Sequence, residues 1–121
     1  MKRRLKRGYF RKKKYVWYYE NCPVEDKVIL LESQHGKSFG GNIFAIAKEL
    51  SGNPEYKEYS IWLSCVRKQV KNRRKFLKSY GMERIQVVST GDKEYFKLLA
   101  TAKYLVNDNT FIYIFIKRPE Q

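Results

Sequence analysis

Four short apolar runs, separated by stretches whose apolar residues recur every three or four positions, constrain this chain more than anything else in it. The runs are Val28-Ile29-Leu30-Leu31, Tyr59 through Val66, Ile85-Gln86-Val87-Val88 and Tyr104-Leu105-Val106-Asn107. Near-continuous apolar runs of this length suit strands buried on both faces. Between them, Ile43, Phe44, Ile46, Ala47 and Leu50 share one helical stripe. Val70, Phe76, Leu77 and Tyr80 are expected to form the inner face of a second helix, and Tyr95, Phe96, Leu98, Leu99 and Ala102 that of a third. The order β-α-β-α-β-α-β predicts an α/β fold with a parallel sheet and flanking helices, because parallel strands need crossover connections.

Local punctuation sets the expected boundaries. Pro23 disfavours helix in the residue before it, which places the first strand at about residues 27–32. The helix that follows should stop at Ser51-Gly52-Asn53-Pro54, and the next, over residues 67–80, at Gly81. With right-handed crossovers, the loops beginning at Glu32, Cys65, Ser89 and Asn107 share one edge of the sheet, where ligands bind in such folds.

A chain of 121 residues has room for one core, and its 43% hydrophobic composition excludes a disordered chain. Twenty-six Lys and Arg against twelve Asp and Glu leave a net charge of +14, which favours an anionic partner without choosing among phosphorylated substrate, anionic lipid and nucleic acid. Cys22 and Cys65 lack paired spacing, so a reducing compartment is the default; with one His, no metal and no cofactor is expected. Residues 2–14 carry nine Lys or Arg and no acid: Lys2, Arg3, Arg4, Lys6, Arg7, Arg11, Lys12, Lys13 and Lys14. We read residues 1–22 as a basic arm, helical or not, and residues 23–121 as the domain. Tyr15-Val16-Trp17-Tyr18-Tyr19-Glu20 is too short and too polar for a signal-peptide core or a membrane span, which leaves peripheral attachment of the arm to an anionic membrane, or a solubilising tail.

The segment from Ser33 to Asn42 carries the strongest local signal for chemistry. Gly36, Gly40 and Gly41 let backbone N–H groups approach an anion ahead of a helix N-terminus, and Lys37, Ser38 and Asn42 add polar contacts. The same glycines also suit a tight strand-to-helix connection capped by Asn42. Two familiar phosphate motifs fail here: Leu31 stands where a Walker A loop ending in Gly36-Lys37-Ser38 needs glycine, and Ser38 occupies the second glycine of a GxGxxG reading. His35 is a candidate base or phosphate donor, or a histidine that orders the turn; no carboxylate partner is assignable beyond a guess at Glu32 or Asp108. The basic stretch Arg67, Lys68, Lys71, Arg73, Arg74, Lys75 and Lys78 suits a polyanion track or a solvated outer face. Nucleic acid is the least favoured partner, because the aromatic residues fall mostly at core spacing and no nucleic-acid-binding signature is present.

Two segments carry a family resemblance. Pro23 through Asn42, with the strand Lys27-Val28-Ile29-Leu30-Leu31-Glu32-Ser33 and the loop His35-Gly36-Lys37-Ser38, resembles the CDP-glycerol glycerophosphotransferases of teichoic acid synthesis in Gram-positive bacteria. Ala102 through Phe111, followed by Lys117-Arg118-Pro119-Glu120-Gln121, is similar to the segment that leads into that family's Trp-His-Gly-Thr motif. The resemblance covers roughly residues 15–121. It implies a Rossmann-like domain forming the N-terminal half of a GT-B glycosyltransferase fold, and as ligands a CDP-glycerol or related CDP-polyol and a lipid-linked polyol-phosphate acceptor. It also implies a catalytic histidine and a CDP pocket beyond Gln121, so that no catalytic residue is expected in this chain, which alone should be inactive. His35, Gly36, Lys37, Ser38, Gly40, Gly41 and Asn42 become the expected phosphate or acceptor contacts, with Asn107 and Asp108 bordering the cleft. Gly40-Gly41-Asn42-Ile43 departs from the family's usual Asp or Ser followed by Asn-Pro.

Overall fold

The computed structural model describes residues 2–33, 39, 41–107, 115 and 117–121, the side chains of residues 2–11 excepted. Four strands form where apolar runs predict them: β1 (Glu25–Glu32), β2 (Ser60–Cys65), β3 (Gln86–Ser89) and β4 (Ala102–Asn107). Among the described residues four α-helices accompany them: α1 (Lys2–Asn21), α2 (Gly41–Gly52), α3 (Val70–Ser79) and α4 (Lys93–Thr101). The strands are all parallel in the order β3-β2-β1-β4, the Rossmann-like arrangement expected.

Alternation along β1 divides the core into two layers. Val28 and Leu30 point to one face, where α1 and α4 bring Tyr15, Tyr95, Phe96 and Leu99. Ile29 and Leu31 point to the other, covered by Ile43 and Ala47 of α2 and Leu77 of α3. Successive strand residues face opposite ways, so a central strand with a continuous apolar run must be covered twice. Leu30 and Leu31 are both fully buried, and each such burial stabilises the fold by about 2 kcal/mol.

Helix ends follow the sequence signals. α2 stops at Gly52, and Asn53 then caps a 3-10 turn over Pro54–Tyr56 by accepting from the Glu55 N–H. α3 ends in a Schellman turn: Met82 N donates to Leu77 O at 2.8 Å and Gly81 N to Lys78 O at 3.0 Å. This closure needs a left-handed residue, and Gly81 supplies it at φ 69°. Two boundaries differ from expectation. A 3-10 turn, Arg67–Gln69, precedes α3. Ala102, expected on the inner face of the third predicted helix, is buried instead as the first residue of β4.

The inner face predicted for α3 is half right. Leu77 is buried, but Phe76 and Tyr80 are 37% and 58% exposed. Residues four apart share a stripe and adjacent residues sit about 100° apart, so Phe76 and Tyr80 lie on a different stripe from Leu77. They lean sideways onto α2 instead, with Phe44 5.7 Å from Phe76 and 5.3 Å from Tyr80 between ring centroids.

Two arginines, invisible to periodicity, tie the layers together. Arg84 donates to the carbonyls of Leu50, Tyr56 and Tyr59, joining the end of α2 to the start of β2. Arg118 donates to Cys22 O at 2.7 Å and Ala100 O at 3.1 Å, and its guanidinium lies 5.0 Å from the Tyr19 ring centroid. Gln121 Nε2 reaches Leu99 O and Ala102 O, each at 2.8 Å. The segment 117–121 therefore fastens the end of α1 to the junction of α4 and β4.

Candidate functional site at the carboxyl edge of the sheet

The chain order creates one break in this edge. From β1 the strands progress outward to β2 and β3, and the chain then returns to place β4 on the other side of β1. The strand order therefore reverses beside β1, and open α/β sheets bind ligands in the crevice outside the carboxyl ends of the strands at such a reversal. Ser33 follows β1 there, and Asn107 closes β4.

A fully buried carboxylate sits at this point. Glu32 ends β1 in register with Ser64 of β2 and Asn107 of β4. It has the parity of Leu30, so its side chain turns toward the α4 layer. Tyr95 donates its hydroxyl to Glu32 Oε1 at 2.5 Å and Ser64 Oγ donates to the same oxygen at 2.8 Å. Asn107 Nδ2 approaches Oε2 at 3.4 Å. A buried carboxylate is tolerated only when donors replace its water, and β2, β4 and α4 supply these three. Burial pushes the Tyr95 hydroxyl far above the usual tyrosine range, with the neighbouring Glu32 charge and the hydrogen bond adding to it. Tyr95 therefore stays a donor at every physiological pH.

The α2 and α3 side of the same edge is cationic and aromatic. Phe39 packs against Phe44 at 5.4 Å and Phe76 at 5.8 Å between centroids. The Arg73 guanidinium lies over the Phe39 ring at 5.9 Å. Cys65, the last residue of β2, is buried beside it: burial pushes the thiol up, and Arg73 pulls in the opposite direction. Arg67 is engaged elsewhere, bonding Asp92 at 3.1 Å in an exposed pair of the kind that contributes about 0–1 kcal/mol.

Residues 15–121 match the family model described as CDP-glycerol:poly(glycerophosphate) glycerophosphotransferase. The chain belongs to this glycerophosphotransferase family. Its fold is similar to that of the wall teichoic acid polymerase TagF, with a TM-score of 0.67 at 17% identity, and to that of a TagF variant, with a TM-score of 0.68 at 17% identity. Each likeness covers 92% of this chain and 25% of the polymerase, so the chain spans about a quarter of those proteins' length. No functionally curated protein matches it.

In this member of the family the sequence-predicted contacts fall unevenly. His35, Gly36, Lys37, Ser38, Gly40 and Asp108 lie outside the described residues. Gly41 and Asn42 are exposed in the first turn of α2, so Asn42 is inside the helix and does not cap it from the preceding position. Asn107 is at the crevice, bonded to Glu32. Of the basic arm, Lys12, Lys13 and Lys14 are exposed, and the side chains of Lys2, Arg3, Arg4, Lys6, Arg7 and Arg11 are outside the description. Sequence reading missed the Glu32 cluster, treating Glu32 only as a guessed partner for His35. A signal was present: one acid closing the apolar run Val28-Ile29-Leu30-Leu31, at the parity of a core leucine. Among the described residues, no helix is long and apolar enough to cross a membrane, and no group of three or more His, Cys, Asp or Glu side chains is placed to hold a metal ion.

Proposed function

We propose that this chain is the N-terminal domain of a CDP-glycerol:polyol-phosphate glycerophosphotransferase, one half of a GT-B fold that builds teichoic acid or a related wall or capsule polymer. In that reaction an acceptor hydroxyl attacks the phosphorus bearing the polyol, a new P–O bond forms, the pyrophosphate bridge breaks, CMP leaves and the hydroxyl proton is taken up by a base. The domain supplies one wall of the cleft. The observation that carries this reading is the family match over residues 15–121. The position of Ser33 and Asn107 at the crevice between β1 and β4 supports it.

Gly36, Lys37, Ser38, Gly40, Gly41 and Asn42 contact phosphate or acceptor, His35 is a secondary polar contact, and Asn107 and Asp108 border the cleft. An NMR titration of the labelled chain with CDP-glycerol, then with a soluble glycerol-phosphate acceptor analogue, tests this. Saturable shifts confined to residues 33–42 and the Asn107 loop are expected, and Lys37→Ala should weaken binding roughly tenfold, as loss of one charge-assisted contact does. A well-dispersed spectrum that no ligand perturbs would sink the assignment.

The enzyme works at the cytoplasmic face of the membrane, held there peripherally by its basic arm. Trp17 is 56% exposed and Val16 37% exposed on α1, next to Lys12 and Lys14, which combines an interfacial aromatic with cations. Deleting residues 1–14, which spares the core residue Tyr15, is expected to abolish flotation with anionic vesicles. Retained flotation would reject the arm as anchor and point to the basic face of α3.

A further inference from the structure

We infer that Arg73 is an anion-binding residue, its guanidinium held against Phe39 at the carboxyl edge to contact a phosphate oxygen. Three observations converge. First, Arg73 is half-buried, and its Nε is buried without a hydrogen-bond partner among the described residues. Nε itself is closed to a ligand; the Nη groups of the same half-buried guanidinium carry no ion pair among the described residues, and it is there that an oxyanion is met. Second, no acid is available along its own helix: residues 67–80 contain none, and the ion pairs of the described residues engage Lys27, Arg67 and Arg118, not Arg73. Third, the group is placed against an aromatic cluster: its Cζ lies over the Phe39 ring at 5.9 Å from the centroid, and Phe39 packs against Phe44 and Phe76. A guanidinium held beside an aromatic ring has less freedom left to lose when its planar fork meets a phosphate.

Place adds to this. Arg73 neighbours Cys65, the residue that ends β2, and Phe39 lies between β1 and α2, so the cation stands beside the connection that leaves the crevice. Nothing apolar about α3 requires an arginine here, since Leu77 already covers the sheet. The phosphate is a monoester, a polymer phosphodiester or a lipid headgroup, all sharing the oxyanion that Arg73 recognises. This inference rests on the proposed function for the source of the phosphate.

The Nε–H group of Arg73 gives its own cross-peak in a 15N-edited spectrum, which provides a direct readout on the full chain. Inorganic phosphate, glycerol 3-phosphate, a soluble glycerophosphodiester and bicelles containing phosphatidylglycerol are titrated separately at constant ionic strength. A saturable downfield shift of that peak with any of them, absent with chloride, is expected, and the tightest identifies the source. Arg73→Lys should weaken this binding roughly tenfold while leaving the unfolding midpoint in place, because charge remains but the fork is gone. Arg67→Gln, which removes an exposed cation, should change neither. If residues 33–42 respond to glycerol 3-phosphate while the Arg73 peak stays still, the inference falls and the proposed function stands. If neither responds, both fall. An equal response to chloride also overturns the inference, since a screening ion would then suffice.

Discussion

Replacing Tyr15 by alanine is expected to lower the unfolding free energy by about 3–5 kcal/mol, the range for truncating a buried aromatic. Tyr15 is 2% exposed and packs in the layer formed by Val28, Leu30, Tyr95 and Leu99. Its ring lies 6.0 Å from Tyr19 and 6.2 Å from Phe115 between centroids, with tilted planes that suit aromatic quadrupoles. Truncation would leave a cavity between α1 and α4 that neither helix can close, because Arg118 holds the end of α1 through Cys22 O. Urea unfolding followed by circular dichroism measures the loss, with Lys12→Ala as an exposed control on the same helix. A change for Tyr15→Ala no larger than that control would mean that α1 is an appendage and contributes nothing to the core.

The second large effect belongs to the buried carboxylate. Tyr95→Phe keeps the ring and removes only the hydroxyl, stripping Glu32 of a donor at 2.5 Å. A hydrogen bond to a charged group contributes about 1.5–3 kcal/mol, so a destabilisation of about 2 kcal/mol is expected at neutral pH. The pH dependence has a definite sign. The folded Tyr95 is raised by burial first and by Glu32 second, while the unfolded residue titrates near pH 10. Below that pH both states are protonated and the contribution is whole. Above it the unfolded state loses its proton and the folded state keeps it, so wild-type stability falls by about 1.4 kcal/mol per pH unit from this group. Tyr95→Phe lacks that component, and the difference between the two proteins should narrow as pH rises above about 10. A gap that is constant from pH 7 to pH 11, on the ordinary tyrosine scale, would show that Tyr95 is not the buried donor that holds Glu32.

How far the sequence carried can be judged residue by residue. The strands were legible because burial on both faces leaves a continuous apolar run, as in Val28 through Leu31, and few other structures tolerate one. Gly81 was legible because a left-handed helix end excludes almost every other residue. The sequence singles out the loop from Ser33 to Asn42 because its glycines follow a strand in a fold whose ligands bind at strand ends, and its contacts belong to the proposed function. Phe76 and Tyr80 were misread for a reason internal to the method: periodicity says that residues share a stripe, but which stripe meets the sheet depends on how the helix is rotated. Arg84, Arg118 and Gln121 bind main-chain carbonyls, and no side-chain pattern announces a carbonyl partner.

Order and pairing divide the two sources of information. The amino-acid sequence alone determined the alternation of strands and helices, the parallel sheet that alternation requires, the cationic surface and the family, since each depends on local composition and spacing. Only the tertiary structure decided that β4 lies beside β1, which brings Ser33 and Asn107 to the point where the strand order reverses. It alone brought Glu32, Ser64, Tyr95 and Asn107 together from four elements, and set Arg73 over Phe39. These contacts join residues between 32 and 75 positions apart. Contacts at that range come from the packing of layers, which depends on all the buried side chains at once and is written in no single segment.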